Sequence, residues 1–168
     1  VMIEAMTEGG FRQRGIVFAP QDALETDPVI LRYLRGFPQQ LAVLKETQSY
    51  EVEGISFRTS ARHRHGVETY GFVFHAPGLT FSYIPDTAYF PELASSYGGE
   101  VLIINVVRLT PGGPFLHLSL EDAKELIRQL KPRAAILTHF GMTMWRARPW
   151  EVAQQLSQEM GIKVTAAR

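Results

Sequence analysis

The chain carries five histidines, His63, His65, His75, His117 and His139, and no cysteine. Three of them stand beside glycine or a small polar residue, where an apolar run ends or a loop begins. His65 precedes Gly66, His117 comes shortly before Ser119, and His139 closes the run AAILT ahead of Phe140-Gly141. Asp86 occupies the same kind of place, just after FSYIP. Imidazole and carboxylate side chains gathered from separate strand ends, without sulfur, fit Zn, Mn or Fe rather than a closed structural zinc site. The spacings are wide, 21 residues from His65 to Asp86 and 53 from Asp86 to His139, so spacing alone decides little. Plainer roles stay open: loop capping for the histidines, an Asx-type cap for Asp86, and a loop-stabilising place before Ser119 for His117. His63 reads as exposed or as a support for His65 rather than a ligand, and His75, in the turn HAPG, has no assigned role. Arg62, Arg64, Arg146 and Arg148 are placed to border such a site, where guanidinium groups suit phosphate-containing substrates; solvated strand and loop ends are the alternative. Trp145 and Trp150 read as packing anchors.

The elements that must position these residues change character along the chain. RGIVFAP (14–20) reads as a buried strand closed by Pro20. Thr26 or Asp27 then caps a short helix with Pro28 at its first position, apolar on Val29, Ile30, Tyr33 and Leu34 and ended by Gly36. From 41 to 85 the pattern is β: LAVLK (41–45), YEVEGISFRT (50–59), TYGFVFHA (69–76) and LTFSYIP (79–85), with Gly54 and Pro77-Gly78 supplying turns or bulges. After 86 strands and helices alternate. A helix at 88–97 precedes the strand EVLIINVV (100–107). A second helix, 120–130, has Ser119 as N-cap and Asp122 three residues on, a capping box with Asp in place of Glu. Strand RAAILTH (133–139), helix 150–160 and strand IKVTA (162–166) follow. Antiparallel strands first and β/α alternation second predict a mixed sheet with flanking helices, of α/β or α+β class.

The 168 residues suffice for one domain, 1–168. Lys+Arg and Asp+Glu are both 17, a net charge of zero, which removes overall basicity as an argument for nucleic-acid or membrane binding. The absence of cysteine excludes disulfides, thiolate metal sites and a cysteine nucleophile. No apolar stretch approaches a membrane span, so a cytoplasmic, membrane-free protein is expected. Residue 1 is valine, which points to a trimmed N-terminus.

HGVETYGF (65–72), YIPDTAY (83–89), FLHLSLEDA (115–123) and AAILTHFG (134–141) resemble, in order and spacing, the metallo-β-lactamase fold and most of all its ribonuclease Z-like metallohydrolases. The resemblance implies an αββα sandwich, represented here largely by its C-terminal half. It implies that His65 binds one metal, Asp86 bridges two and His139 binds the other, with two zinc ions the first expectation. FLHLS resembles the branch's HST, whose histidine protonates the leaving group, and this maps to His117. The implied activity is metal-dependent hydrolysis of phosphodiester-like bonds in a phosphate-containing substrate, nucleic acid included. Two departures bear on it. The family's HxHxDH signature is absent, HRHGVE (63–68) being the nearest string, and Asn105 stands where the branch carries a glutamate that orients the histidine. Pro85 also replaces the glycine of GDT. Activity is thus expected only if an N-terminal HxHxDH half is supplied. The alternative is a non-catalytic fragment or degenerate member acting as a binding or assembly module, either a homo-oligomer or paired with the missing half.

Overall fold

The computed structural model describes residues 1–25 and 28–167. The chain forms two compact units, Val1–Lys45 and Glu46–Arg168.

The first unit holds helix α1 (Met2–Met6), strand β1 (Ile16–Ala19), a single 3-10 turn (Arg32–Leu34) and strand β2 (Gln40–Val43). β1 and β2 pair in parallel, from Ile16 opposite Gln40 to Ala19 opposite Val43. The helix expected after Pro28 is not formed; its proposed caps, Thr26 and Asp27, lie outside the described residues. So few residues between Pro28 and Gly36 give a marginal helix, and the local backbone bonds elsewhere. Ile30 donates to the Ala23 carbonyl, and the Arg35 guanidinium binds the carbonyls of Ile30 and Leu24.

The second unit is a seven-stranded mixed sheet flanked by helices, as the αββα-like expectation requires. Its strands are β3 (Ser49–Val52), β4 (Ile55–Thr59), β5 (Phe72–Ala76), β6 (Leu79–Ile84), β7 (Val101–Asn105), β8 (Ala134–Thr138) and β9 (Lys163–Ala166), lying side by side in chain order. The first four are antiparallel hairpin partners and β6 to β9 are parallel. Turn chemistry sets the first half: Glu53 and Gly54 both have positive φ (50° and 79°), the two-residue geometry that matches strand twist. Helix length sets the second half. α2 (Leu120–Leu130) carries the chain from β7 to β8, and α3 (Met142–Arg146) with α4 (Pro149–Met160) carries it to β9. Ala123, Leu126 and Ile127 of α2 and Ala153 and Leu156 of α4 bury with Leu102, Ile104, Ala135, Leu137 and Val164 of the strands. The opposite sheet face is apolar as well: Phe72 faces Tyr83, Phe74 faces Phe81, and Ile103 faces Ile136 across neighbouring strands.

The helix read at 88–97 is reduced to a 3-10 turn at Leu93–Ser96, because Pro91 disfavours a helical residue before it. α3 was not anticipated. α2 matches its expected bounds, and its capping box is complete: the Ser119 hydroxyl accepts from the Asp122 N–H, and the Asp122 carboxylate accepts from the Ser119 N–H at 2.8 Å. Ser119→Ala is expected to lower stability by about 1 kcal/mol, read from the urea midpoint. Ser119→Thr, which keeps a hydroxyl that can accept from the Asp122 N–H and donate to its carboxylate, should recover most of the loss; an unchanged midpoint in the alanine variant would remove the cap from this account.

Candidate functional site

The parallel half of the sheet brings three sequence-distant positions to one edge. Asp86 follows β6, Asn105 ends β7 and His139 follows β8, and ladders pairing Ile84 with Ile104 and Asn105 with Thr138 bring these strand ends level. The carboxyl ends of parallel strands are where open α/β sheets hold ligands. Asp86 is the pivot. Its Oδ2 lies 3.3 Å from His139 Nε2, its Oδ1 lies 3.6 Å from His117 Nδ1, and the Asn105 amide donates to Oδ1 at 2.9 Å. Asn105 thus orients the carboxylate rather than an imidazole, and its own oxygen accepts from Tyr83 Oη at 3.3 Å. His139 has φ 58°, a left-handed conformation that costs a non-glycine residue about 1–3 kcal/mol and concentrates at functional sites. Gly141, next but one, sits so close to Val107 that a Cβ would fall 2.5 Å from its carbonyl oxygen.

His117 arrives from the segment between β7 and α2. Arg108 holds it there, donating to the His117 carbonyl from Nη2 at 2.6 Å and from Nε at 3.2 Å. His117 Nδ1 is buried and has no hydrogen-bond partner among the described residues, so the Asp86 carboxylate is its polar neighbour. The His65 ring lies 5.3 Å from the His117 ring, and the His139 ring lies 6.2 Å from it on centroids. His65 Nδ1 donates to the Leu116 carbonyl at 3.2 Å, which leaves Nε2 as a lone-pair donor, the arrangement usual for ligating imidazoles.

His63 is neither exposed nor a support for His65. It is 3% exposed and holds Asp86 instead. Nδ1–H donates to the Asp86 carbonyl at 3.2 Å, and Nε2 accepts from the Tyr97 hydroxyl at 2.5 Å. A carbonyl only accepts, so the proton sits on Nδ1. Burial lowers its pKa to about 4, and His63 is neutral at pH 7. His75 lies on β5 rather than in a turn, beside Thr80. The arginine border is only partly available: Arg64 lies over the Phe90 ring and Arg148 pairs with Glu151. Trp145 and Trp150, expected as packing anchors, are 58% and 49% exposed. Tyr97, Tyr83 and Arg108 were missed; the two tyrosines act through contacts 34 and 22 residues away in sequence, and Arg108 grips a loop carbonyl that no local motif marks.

Two donors about 3.3 Å apart match the edge of a tetrahedron with bonds of roughly 2.0–2.1 Å, so Asp86 and His139 suit an N/O-binding ion in kind. They do not suffice in number. Among the described residues no group of three or more His, Cys, Asp or Glu is placed to hold a metal ion, and a zinc site takes at least three protein ligands. Also among the described residues, no helix is long and apolar enough to cross a membrane.

Residues 3–140 match the family described as beta-lactamase superfamily domain. An uncharacterized protein of Methanocaldococcus jannaschii is 28% identical over the whole chain, which spans 65% of that relative's length. Among solved structures, the metallo-beta-lactamase fold protein YhfI from Bacillus subtilis aligns over 99% of this chain and 67% of its own, at 13% identity and a TM-score of 0.77. A diphosphatase from the PhnP family aligns over 99% and 62%, at 17% identity and TM-score 0.72. Igni18, a metallo hydrolase from the archaeon Ignicoccus hospitalis, aligns over 99% and 70%, at 17% identity and TM-score 0.70. At these identities the structures establish the fold.

Proposed function

The chain belongs to the beta-lactamase superfamily domain family, and from that premise we propose that it is the site-bearing but by itself non-catalytic module of a metal-dependent hydrolase. One observation carries this reading. Asp86 lies 3.3 Å from His139 and 3.6 Å from His117, yet the described residues hold no three-donor set. The convergence argues for a site and the shortfall argues that further donors join it. The half-covered aromatic face of the sheet, on Phe72, Phe74 and Phe81, supports assembly with whatever supplies them.

In the assembled protein we assign Asp86, His139 and His65 to the ligand set, with zinc first and manganese or iron as alternatives. His117 is the candidate proton donor to the leaving group, its Nδ1 held against the Asp86 carboxylate and its backbone clamped by Arg108. We place the substrates among phosphodiester-like compounds, as in the ribonuclease Z-like branch that FLHLS resembles, and the protein in the cytoplasm. The hydrolase class is supported by the described activities of the similar diphosphatase and of Igni18.

The test compares the 168-residue chain with the product of the complete reading frame around it, by metal content and by hydrolysis of bis(4-nitrophenyl) phosphate. The chain alone is expected to retain well under one ion after dialysis and to be inactive. The complete product should retain metal and turn over, and Asp86→Ala in it should lose both. Activity in the chain alone would overturn the non-catalytic assignment; a complete product without metal or turnover would overturn the hydrolase.

A further inference from the structure

Beyond His139 the same sheet edge continues into an aromatic concavity. β9 runs parallel to β8 with Leu137 opposite Ala166, so Ala167 lies beside Thr138, one residue short of His139. Ala167 N–H donates to the Leu137 carbonyl at 2.8 Å and fixes this end of the strand. Phe140, peptide-bonded to His139, lines the concavity together with Trp145, Pro149, Trp150, Ala166 and Ala167. The space is about 450 Å³, within the range of small-molecule sites. The two indole rings stand edge to face, 6.1 Å apart at 83°, and offer a ring face and a ring edge to a planar guest.

The placement of the tryptophans is enforced. Arg148 takes a left-handed conformation (φ 57°, ψ 83°) at the junction of α3 and α4, and Pro149 follows at the first position of α4. That sharp corner sets Trp145, on the last turn of α3, against Trp150, on the first turn of α4. Two large rings about half exposed beside a strand-end crevice contribute their apolar area to solvent rather than to the core.

We propose that this concavity binds a planar aromatic group of a small molecule. The binding claim stands apart from the hydrolase; only the further statement, that the group belongs to the hydrolase's substrate, rests on that reading. In that case the concavity selects aryl esters over alkyl esters, because it lies one strand from His139, whose ring is 3.3 Å from the Asp86 carboxylate.

The chain's two tryptophans both line this concavity, so tryptophan emission, excited beyond the absorption of the tyrosines, reports on it. Titration of the 168-residue chain with 4-nitrophenol is expected to give saturable quenching, and methyl phosphate none. Trp145→Ala, with Trp150 as the remaining reporter, should weaken binding about tenfold, roughly the loss of one aromatic contact. Ala167→Leu, which fills the space and spares both indoles, should weaken it as well. Linear, non-saturating quenching, or equal affinity in both variants, would overturn the proposal. So would an emission shift that follows protein concentration without ligand, which assigns the surface to a second copy. In the complete product, Trp145→Ala should raise KM for bis(4-nitrophenyl) phosphate with kcat retained. Saturable 4-nitrophenol binding in a product with no turnover would uphold the concavity and remove the hydrolase.

Discussion

Gly71→Ala is expected to destabilise the Glu46–Arg168 unit by about 3 kcal/mol, at the upper end of the usual cost of overpacking. A Cβ on Gly71 would fall 1.9 Å from Tyr97 Oη and 2.7 Å from the Tyr83 carbonyl oxygen. Neither neighbour yields cheaply. Tyr83 is on β6, paired to β5 on one side and β7 on the other. Tyr97 is 8% exposed, and its hydroxyl serves His63 Nε2. Gly71 itself is pinned, since its N–H donates to Ser60 Oγ and its carbonyl accepts from the Ser60 N–H, both at 2.9 Å. Displacing the tyrosine ring leaves a buried imidazole nitrogen without its donor, which adds a desolvation cost to the steric one. Urea unfolding of the single and double variants checks this. Tyr97→Phe removes the nearest clashing atom and also the bond to His63. Gly71→Ala/Tyr97→Phe should therefore cost less than the sum of the two single changes. Strict additivity would mean that the alanine is accommodated without touching Tyr97.

The same contrast between local and distant causes explains what the sequence made legible. α2 is readable because its signals lie within a dozen residues: Ser119 and Asp122 cap each other, and Ala123, Leu126 and Ile127 repeat at helical spacing. β7 and β8 are readable as apolar runs between helices. Asp86, His117 and His139 are readable as positions because each follows or precedes such an element. Their distances to one another are not, since these depend on β6, β7 and β8 lying in consecutive parallel order. Asn105 shows the limit well. The register of β7 on β6 turns its amide to the Asp86 carboxylate, where the resemblance put it beside an imidazole. Val29, Ile30, Tyr33 and Leu34 have helical spacing, but the Ile30 carbonyl accepts from the Arg35 side chain instead, an alternative that no periodicity reveals. Tyr97 is 34 residues from His63 and looks like an ordinary aromatic until the fold sets them together. α3, at five residues, is too short to show a period at all.

His63 gives the second large effect, and its sign follows from linkage. Burial lowers its pKa to about 4 in the folded protein, against an ordinary value of 6.5 in the unfolded chain. Between those values the unfolded state binds more protons, so stability falls as pH falls. The contribution is complete above about pH 6.5 and is lost progressively down to about pH 4, by roughly 3 kcal/mol at 1.36 kcal/mol per pH unit. Protonation there has a definite structural meaning. Nε2 would become a donor facing the Tyr97 hydroxyl, and an imidazolium would be confined where 3% of the residue meets solvent. The Nδ1–H bond that fixes the Asp86 backbone shares that imidazole, so acid should loosen the strand end that carries the carboxylate as well as lower global stability. Carboxylates elsewhere titrate over part of the same range, and a His63→Asn variant isolates the histidine. Its deficit relative to the unaltered chain, measured by urea unfolding, should be largest at pH 7 and shrink by about 3 kcal/mol on reaching pH 4. A deficit that stays constant across that range would show that His63 does not change its protonation preference on folding. A deficit that grows toward acid would mean that the folded protein favours the imidazolium, with Asp86 as its counter-charge and Tyr97 turned away.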